Sequence, residues 1–198
     1  EKIYDDSISI INEWNEENSN VKDIIKKWLM KKQIKNIDMF SVEDNASCEY
    51  YSKKYEFIKN NIIISFNGHT IDLFDVKKPR KYEDKEDIIC SVGRFGNYQK
   101  ATNILLNAFA KTIDRHEWNL MLAGNIEENY KKEIEKFFSY NPLMKSRVNI
   151  LGYLNKKDLF EIYNKSKIFC LPSRYETFAN VYSEAMYYKN AIITTPTT

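Results

Sequence analysis

Apolar positions in the second half of the chain form short runs that alternate between strand-like and helical spacing. The runs typical of strands lie at residues 88–92, 118–123, 148–151, 168–171 and 191–195. Between them, helical spacing of apolar residues predicts helices over 101–113, 127–140, 156–164 and 179–188. Strands that alternate with helices favour a parallel sheet, because parallel neighbours need a crossover connection. The pattern therefore predicts an α/β fold with helices on both faces of the sheet.

The first part of the chain carries its own elements. The pattern predicts a helix, a strand, a second helix and a second strand, at residues 5–33, 37–42, 45–55 and 62–66. Asp44 or Asn45 is the expected N-cap of the second helix, because both side chains accept hydrogen bonds from free amides at a helix start. The β-branched run of the second strand predicts burial on both faces of a parallel sheet.

A charged segment separates these two parts. Residues 75–86 contain Pro79 and few apolar side chains, which is typical of a linker. We therefore predict an N-terminal part at 1–74, a linker at 75–86 and a larger α/β domain at 87–198. The chain stops directly after the last predicted strand with no closing helix, so we expect this domain to be incomplete at its C-terminus.

Composition and charge narrow the classes of function. Of the 198 residues, 43% are hydrophobic and 29% charged, which excludes a disordered chain and is sufficient for a core. The 30 basic and 28 acidic side chains nearly balance, so no nucleic-acid partner is expected. The three cysteines include no Cys-x-x-Cys pair, and we expect no metal site. Without a membrane-length apolar stretch or a signal-peptide pattern, the sequence favours a cytoplasmic protein.

Ligands bind parallel α/β sheets beyond the carboxyl ends of the strands, so the loops that follow the strands are the candidates. The first such loop leaves its strand at Gly93 and enters a helix near Ala101, with Arg94 and Lys100 at its two ends. Glycine permits a close ligand approach, a helix start offers free amides, and the two cations can reach one diphosphate. Neither G-x-G-x-x-G nor a Walker loop is present, and a solvated basic pair beside a turn is the alternative interpretation.

The last of these loops carries two carboxylates. Glu176 lies in the loop, and Glu184 lies one to two turns inside the helix that follows. The helix start offers unpaired amides to an anion, from Phe178, Ala179 and Asn180. An exposed helix carboxylate is the alternative interpretation of Glu184.

An ordered set of short motifs on these strand ends resembles a known family. The motifs are Asn67-Gly68 with Phe74, Val92-Gly93-Arg94 with Lys100, Ala123-Gly124, Leu151-Gly152, and Pro172-Ser173 followed by an E-x7-E pair, Glu176 and Glu184. They resemble the retaining glycosyltransferases of family 4, part of the glycosyl transferases group 1, over about residues 38–195. That family has the GT-B architecture of two facing Rossmann-like domains. The chain departs from its pattern at Ala101, Ala179 and Lys189-Asn190, where a glycine is common.

The resemblance implies a role for each candidate residue. Arg94 and Lys100 would neutralise the donor diphosphate, Glu176 would contact the donor sugar, and Glu184 would contact the ribose. The backbone amides of Phe178, Ala179 and Asn180 in the last loop would donate hydrogen bonds to the phosphates. The strand-end glycines Gly93, Gly124 and Gly152 would also belong to the donor site. The turn Gly152-Tyr153-Leu154 would hold the base. No metal or cofactor is implied, since the two cations stabilise the departing nucleoside diphosphate.

The implied activity is transfer of a sugar from a UDP- or GDP-sugar to a glycan or lipid-linked acceptor, in bacterial polysaccharide or glycoconjugate assembly, with retention of configuration. Residues 1–74 would be the end of the acceptor-side α/β domain and 87–198 the donor-side Rossmann-like domain. The resemblance leaves peripheral contact with the inner face of the membrane open. We expect the isolated chain to bind a nucleotide sugar better than it turns one over. The alternatives are a non-catalytic transferase-like module that binds a nucleotide sugar or a partner, and a sugar-nucleotide epimerase.

Overall fold

The structure is a computed structural model that describes residues 28–29, 32, 36–55, 58–65, 78–115, 117–176 and 179–196. The chain divides into two compact units, residues 1–67 and 68–198. The predicted helix over 5–33 lies outside the described residues except at 28–29 and 32. The predicted sites Asn67-Gly68, Phe74 and Phe178 also lie outside them.

The first unit contains two parallel strands joined by a helix. Strand β1 spans Phe40–Val42, helix α1 spans Asn45–Lys54 and strand β2 spans Ile62–Ile64, with Phe40 opposite Ile62. Asp44 caps α1, because its Oδ1 accepts a hydrogen bond from the Ser47 amide at 2.7 Å, which confirms the predicted helix start. Among the described residues of this unit, the buried ones are Phe40, Val42, Tyr55 and Ile58.

The expected burial of the second strand on both faces is wrong for the part of the chain that the structure describes. Ile63 is 44% exposed and Ile64 is 37% exposed. The described sheet of this unit has two strands, so β2 has a hydrogen-bonded neighbour on one side only.

The second unit is built on a five-stranded parallel sheet. Its strands are β3 Glu86–Val92, β4 Asn119–Ala123, β5 Val148–Gly152, β6 Ser166–Leu171 and β7 Ala191–Thr194. All pairings are parallel, and the spatial order is β5-β4-β3-β6-β7. The first strand of the sequence is therefore central, and the order reverses between β3 and β6. In open α/β sheets, this reversal is the point at which ligands bind.

Five helices connect these strands. They are α2 Thr102–Ala110, α3 Glu128–Tyr140, α4 Met144–Arg147, α5 Lys156–Lys165 and α6 Asn180–Tyr187. All five predicted strands and the four predicted helices of this unit are confirmed, each with shifts of a few residues at its ends. Helix α4 and the short 3-10 helices Tyr82–Asp84 and Ile113–Arg115 were not predicted.

The sheet is covered on both faces, as the strand and helix pattern predicts. On one face, Cys90, Phe169 and Leu171 of the sheet pack with Tyr163 of α5 and Ala185 of α6. A separate cluster packs on the other face and joins α2, α3 and α4 to the sheet, through Leu105, Leu106, Phe109, Ile134, Met144, Leu120 and Leu122. Successive strand residues alternate between the two clusters, as the period of two of a strand requires.

Residues just before β3 attach to the C-terminal end of α5. Lys85 is 4% exposed, and its ammonium group donates to the carbonyls of Tyr163 at 3.0 Å and Ser166 at 2.8 Å. A cation at a helix C-terminus satisfies free carbonyls and interacts favourably with the helix dipole. The Arg80 amide donates to Asn164 Oδ1 at 2.8 Å, and the Arg80 guanidinium pairs with Glu161 at 3.0 Å.

Candidate functional site

Three strand ends meet in a row of glycines at the carboxyl edge of the sheet. The Gly93 amide donates to the Ala123 carbonyl at 3.1 Å, and the Gly124 amide donates to the Gly152 carbonyl at 2.7 Å. Gly124 has a φ of +136°, and a Cβ atom there would lie 1.9 Å from the Gly93 carbonyl oxygen. Only glycine fits at position 124, so the loops after β3 and β4 pack backbone against backbone.

Lys100 and Glu176 form an ion pair at the point where the strand order reverses. Lys100 Nζ lies 2.5 Å from Glu176 Oε1, and the two side chains are 16% and 9% exposed. Lys100 ends the loop after β3 and Glu176 lies in the loop after β6, so the central pair of strands positions both groups. The structure thus brings together two of the three predicted catalytic residues.

Two further side chains hold the Glu176 carboxylate. Ser173 Oγ donates to Glu176 Oε1 at 2.5 Å, and Gln99 Nε2 lies 3.4 Å from Glu176 Oε2. Ser173 is itself fully buried, and its carbonyl accepts from Thr195 Oγ1 at 2.5 Å. With donors on both oxygens, the carboxylate has a defined orientation beside the ammonium group of Lys100.

The same two loops are joined by contacts that the sequence pattern did not predict. The Arg174 amide donates to the Gln99 carbonyl at 2.8 Å, and Gln99 Nε2 donates to the Tyr175 carbonyl at 3.1 Å. The Arg174 guanidinium lies 4.2 Å from the centre of the Tyr98 ring, and its Nη1 donates to the Tyr98 carbonyl. We call this set of contacts between residues 98–100 and 174–176 the cross-loop clasp. It fixes the distance between the Lys100 and Glu176 backbones.

Both of these loops end in an alanine with left-handed backbone. Ala101 has φ 46° and ψ 42° and precedes α2, while Ala179 has φ 48° and ψ 74° and precedes α6. No side-chain hydrogen bond caps α2 at Ala101, and Asn97 Oδ1 instead accepts from the Lys100 amide, just before the helix, at 2.8 Å. Ala179 and Asn180, two of the predicted amide donors, lie at the start of α6.

The second predicted carboxylate has a different partner from the first. Glu184 lies in α6, and its Oε2 accepts a hydrogen bond from the Tyr163 hydroxyl at 2.9 Å. Tyr163 is fully buried in α5, and both burial and the nearby Glu184 charge raise the pKa of its hydroxyl. The hydroxyl is therefore a permanent donor to Glu184, a role that helical spacing of apolar residues does not reveal.

The remaining predicted residues line the edge of the sheet. Arg94 is exposed and has no ion-pair or hydrogen-bond partner among the residues that the structure describes. Gly152 has a φ of +67°, with open space where a side chain would project. Tyr153 is 78% exposed, whereas Leu154 packs against the core cluster that contains Tyr163. The turn after β5 thus has open space at Gly152, followed by the exposed Tyr153 ring and by the Leu154 side chain, which is packed on the core.

Within the described ranges, no group of three or more His, Cys, Asp and Glu side chains is arranged to hold a metal ion. No helix in the same ranges has both the length and the apolar character needed to cross a membrane.

Comparison with known proteins decides the family. The family model for "Glycosyl transferases group 1" matches residues 74–198, which include the whole five-stranded sheet and both loops of the ion pair. This chain belongs to the glycosyl transferases group 1. It is 32% identical over 105 residues to an uncharacterized glycosyltransferase of Methanocaldococcus jannaschii, a match that covers 52% of this chain and 26% of that protein.

Solved structures of glycosyltransferases share the fold. An S. aureus TarM variant, solved with fondaparinux, alpha-GlcNAc-glycerol and UDP, has a TM-score of 0.68 at 17% identity and covers 87% of this chain and 33% of its own. Anabaena HepE in complex with UDP-glucose has a TM-score of 0.67 at 16% identity and covers 87% of this chain and 49% of its own. This group 1 chain spans about a quarter of the length of its archaeal relative and a third to a half of these structures.

Proposed function

We propose that the chain binds the nucleoside diphosphate part of a nucleotide sugar and takes part in transfer of that sugar, with retention of configuration, to a polysaccharide or glycoconjugate acceptor. The single observation that carries the proposal is the Lys100–Glu176 pair, which is 2.5 Å long and lies at the reversal point of the sheet. An ammonium group and a carboxylate placed side by side can each take a different part of one ligand. The phosphates suit Lys100, and sugar hydroxyls suit Glu176.

The chemistry of transfer needs positive charge at the leaving group. As the bond from the sugar carbon to the phosphate oxygen breaks, negative charge builds up on the departing diphosphate. Lys100 is 16% exposed, so its charge acts in a poorly solvated position, where a fixed donor stabilises such charge strongly. Arg94 is the second cation of the same loop and is free to turn toward a phosphate. In this proposal the two cations replace a metal ion, and no cofactor takes part.

A same-face attack by the acceptor hydroxyl requires no protein nucleophile, since the leaving phosphate takes the proton of that hydroxyl. Glu176 then serves as an acceptor for donor-sugar hydroxyls, for which Ser173 and Gln99 fix its orientation. These roles correspond to those of retaining transferases of family 4, to which we assign the chain.

The shape of the sheet edge supports a nucleotide as the bound group. The glycine row at Gly93, Gly124 and Gly152 allows a ligand to approach the backbone closely. We place the base at the open position of Gly152, beside Tyr153 and Leu154, and the phosphates near Lys100 and the start of α6. The structural neighbours TarM and HepE were solved with UDP and UDP-glucose respectively, which favours a uridine nucleotide for this chain also.

The other parts of the chain complete the proposal. We assign residues 1–74 to the end of the acceptor-side α/β domain, 75–86 to the linker and 87–198 to the donor-side domain. The acceptor in this proposal is a glycan or a lipid-linked acceptor, and a lipid-linked acceptor would place the protein at the inner face of the membrane. The competing function is a non-catalytic module that binds a partner through the same fold.

Calorimetric titration with UDP, GDP and ADP tests the proposal, each in the presence of EDTA and again with Mg²⁺. We expect one of the three nucleotides to bind, with the same Kd in both buffers, because Lys100 and Arg94 supply the charge that a metal would supply. Binding that requires Mg²⁺ would contradict the metal-independent site. No binding of any nucleotide would favour the partner-binding module.

Retention is tested separately on the sugar. Incubation with UDP-glucose, an α-linked donor, followed by proton NMR of the first product formed, reports the configuration of the transferred or released sugar. Retention predicts the α-anomer first, and the β-anomer as the first product would contradict it.

A further inference from the structure

The Glu184 carboxylate has one oxygen occupied and one available. Its Oε2 accepts from the Tyr163 hydroxyl at 2.9 Å, whereas its Oε1 has no hydrogen-bond partner among the described residues. The side chain is half-buried on α6, the helix whose start follows the β6 loop. A carboxylate held at one oxygen presents the other in a fixed direction, which suits a ligand hydroxyl.

Tyr163 is held more firmly than a hydrogen bond alone would hold it. Its ring is fully buried, stacks on Tyr188 with centroids 6.1 Å apart, and packs on Phe169 at 5.9 Å. Close packing on a fully buried ring leaves little room for another rotamer, so the hydroxyl oxygen keeps its position beside Glu184. The Tyr163 hydroxyl and Glu184 therefore form a rigid pair between α5 and α6.

We infer that Tyr163 is a positioning residue that holds Glu184 toward the ribose hydroxyls of the bound nucleotide, and that this pair sets the preference for ribonucleotides over 2′-deoxyribonucleotides. The inference rests on the proposed function, because it requires a bound nucleotide. The family resemblance already implies that the ribose meets Glu184, and the inference adds the role of Tyr163. A site built to hydrogen-bond a hydroxyl discriminates against the analogue without it, since its buried polar group is then left unpaired. Without the Tyr163 hydroxyl, the Glu184 carboxylate loses the hydrogen bond that sets its direction, and this discrimination declines.

The chain offers a matched control in the same cluster. The Tyr188 hydroxyl is buried and has no hydrogen-bond partner among the described residues, although its ring stacks directly on Tyr163. Tyr188→Phe therefore removes the same kind of atom from the same core without removing a hydrogen bond to Glu184. Any loss caused by general loosening of the cluster should occur in both variants.

The experiment measures the Kd values of UDP and 2′-deoxy-UDP for the wild type, Tyr163→Phe, Glu184→Gln, the double variant and Tyr188→Phe. Lys100→Ala is measured with UDP as a check on the proposed function. For the wild type, we expect UDP to bind at least about tenfold more tightly than 2′-deoxy-UDP, the size of one hydrogen bond to a charged group. Tyr163→Phe and Glu184→Gln should each reduce this ratio to about twofold. The double variant should be no worse than Glu184→Gln, and Tyr188→Phe should keep the wild-type ratio.

The outcomes separate this inference from the proposed function. If UDP binds and depends on Lys100, but Tyr163→Phe keeps the wild-type ratio or weakens both nucleotides equally, the inference is overturned and the proposed function stands. The same conclusion follows if Tyr188→Phe lowers the ratio as much as Tyr163→Phe does. If the wild type binds UDP no better than 2′-deoxy-UDP, Glu184 does not bind the ribose 2′-hydroxyl, and the inference is overturned. If no nucleoside diphosphate binds at all, both the inference and the proposed function are wrong.

Discussion

Among the residues that the structure describes, three with side chains have left-handed backbone, namely Ala101, Ala179 and Lys189, with φ values of 46°, 48° and 61°. They coincide with the three places at which the sequence departs from a glycine that its family commonly has. Lys189 follows α6 in a Schellman motif, in which the Asn190 amide donates to the Ala185 carbonyl at 3.0 Å and the Lys189 amide to Met186 at 2.9 Å. A Cβ atom in this conformation costs about 1–2 kcal/mol. At these three positions the chain keeps the left-handed backbone that favours glycine, although the residues have side chains.

Glycine at these positions should stabilise the fold to different extents. Lys189→Gly is expected to raise the free energy of unfolding by about 1 kcal/mol, because the side chain is exposed and only the strain is removed. Ala101→Gly should be close to neutral, since it also removes a fully buried methyl group worth about 0.8 kcal/mol. Urea denaturation measures both, with Lys189→Ala as the control that removes the charge and keeps the Cβ atom. A stability of Lys189→Gly below that of Lys189→Ala would contradict this explanation.

Buried ionisable groups determine how stability depends on alkaline pH. Burial raises the pKa of Cys90 from 9.0 to about 12 and that of Cys170 from 9.0 to about 11. Between pH 9 and the raised pKa of each thiol, the unfolded chain loses the thiol proton and the folded chain keeps it. The free energy of unfolding therefore falls as pH rises from 9. Burial lowers the pKa of Lys85 from 10.5 to about 8, which has the opposite effect between pH 8 and 10.5. Two thiols oppose one amine, so a net fall is expected above pH 9, and above pH 10 the raised pKa values of the buried Tyr163 and Tyr188 hydroxyls add to it.

The free energy of unfolding should therefore be highest near pH 9 and decrease toward pH 11. Each thiol contributes a slope of about 1.4 kcal/mol per pH unit inside its window. Urea denaturation at pH 8, 9, 10 and 11 measures the curve for the wild type and for Cys90→Ala with Cys170→Ala. In the double variant the fall between pH 9 and 10 should disappear. An unchanged fall there would rule out the thiols as its cause.

Individual side chains differ in how much the sequence reveals about them. Asp44 was predictable as a helix cap because the capping interaction is local, between residues three apart. The Tyr163 hydroxyl was not, because an aromatic residue on a helix normally packs and its partner Glu184 lies 21 positions away. The positive φ of Ala101 and Ala179 also contradicts local preference, since alanine avoids that region.

The loops after β3 and β6 act as one structural element because of the cross-loop clasp. They are 76 positions apart in sequence, yet the Arg174 guanidinium stacks on Tyr98 and the Arg174 amide bonds to Gln99. The clasp contains both members of the ion pair, Lys100 and Glu176. Its geometry therefore determines whether the two charged groups meet.

A double-mutant cycle tests the clasp. We expect Arg174→Ala and Tyr98→Ala each to lower the free energy of unfolding, and the double variant to lose about 0.5–1 kcal/mol less than their sum, because both remove the same cation–π contact. Urea denaturation gives the four free energies. Arg115→Ala, which removes an exposed arginine from a different part of the same unit, serves as the control. Strict additivity of Arg174→Ala and Tyr98→Ala would show that the stacking contributes nothing.

The helices and strands of the second unit were largely predictable from the sequence. Apolar periodicity extends over a whole element, so the strands and the longer helices were found with small errors at their ends. Helix α4, Met144–Arg147, is too short to contain a full apolar repeat, and periodicity cannot reveal it. The clasp was not predictable, because no local pattern encodes a contact between two loops so distant in sequence.

The order of the strands connects these details to the function of the whole unit. Periodicity predicts a parallel sheet, but several strand orders satisfy it equally well. The observed order β5-β4-β3-β6-β7 places the β3 and β6 loops side by side, and this adjacency allows the cross-loop clasp to bring Lys100 to Glu176. The resemblance to the family placed both residues in one donor site, and the match to residues 74–198 supports the family. The match to the archaeal relative covers 26% of that protein.

The central claim is that Lys100 binds the phosphates of a nucleotide. Calorimetric titration of Lys100→Ala with the nucleotide that the wild type binds, beside Arg94→Ala and the exposed control Lys132→Ala on α3, tests it most directly. We predict that Lys100→Ala weakens binding at least about tenfold, in line with the loss of a hydrogen bond to a charged group. Arg94→Ala should also weaken binding, and Lys132→Ala should match the wild type. Wild-type affinity in Lys100→Ala, with its fold intact by circular dichroism, would contradict the account.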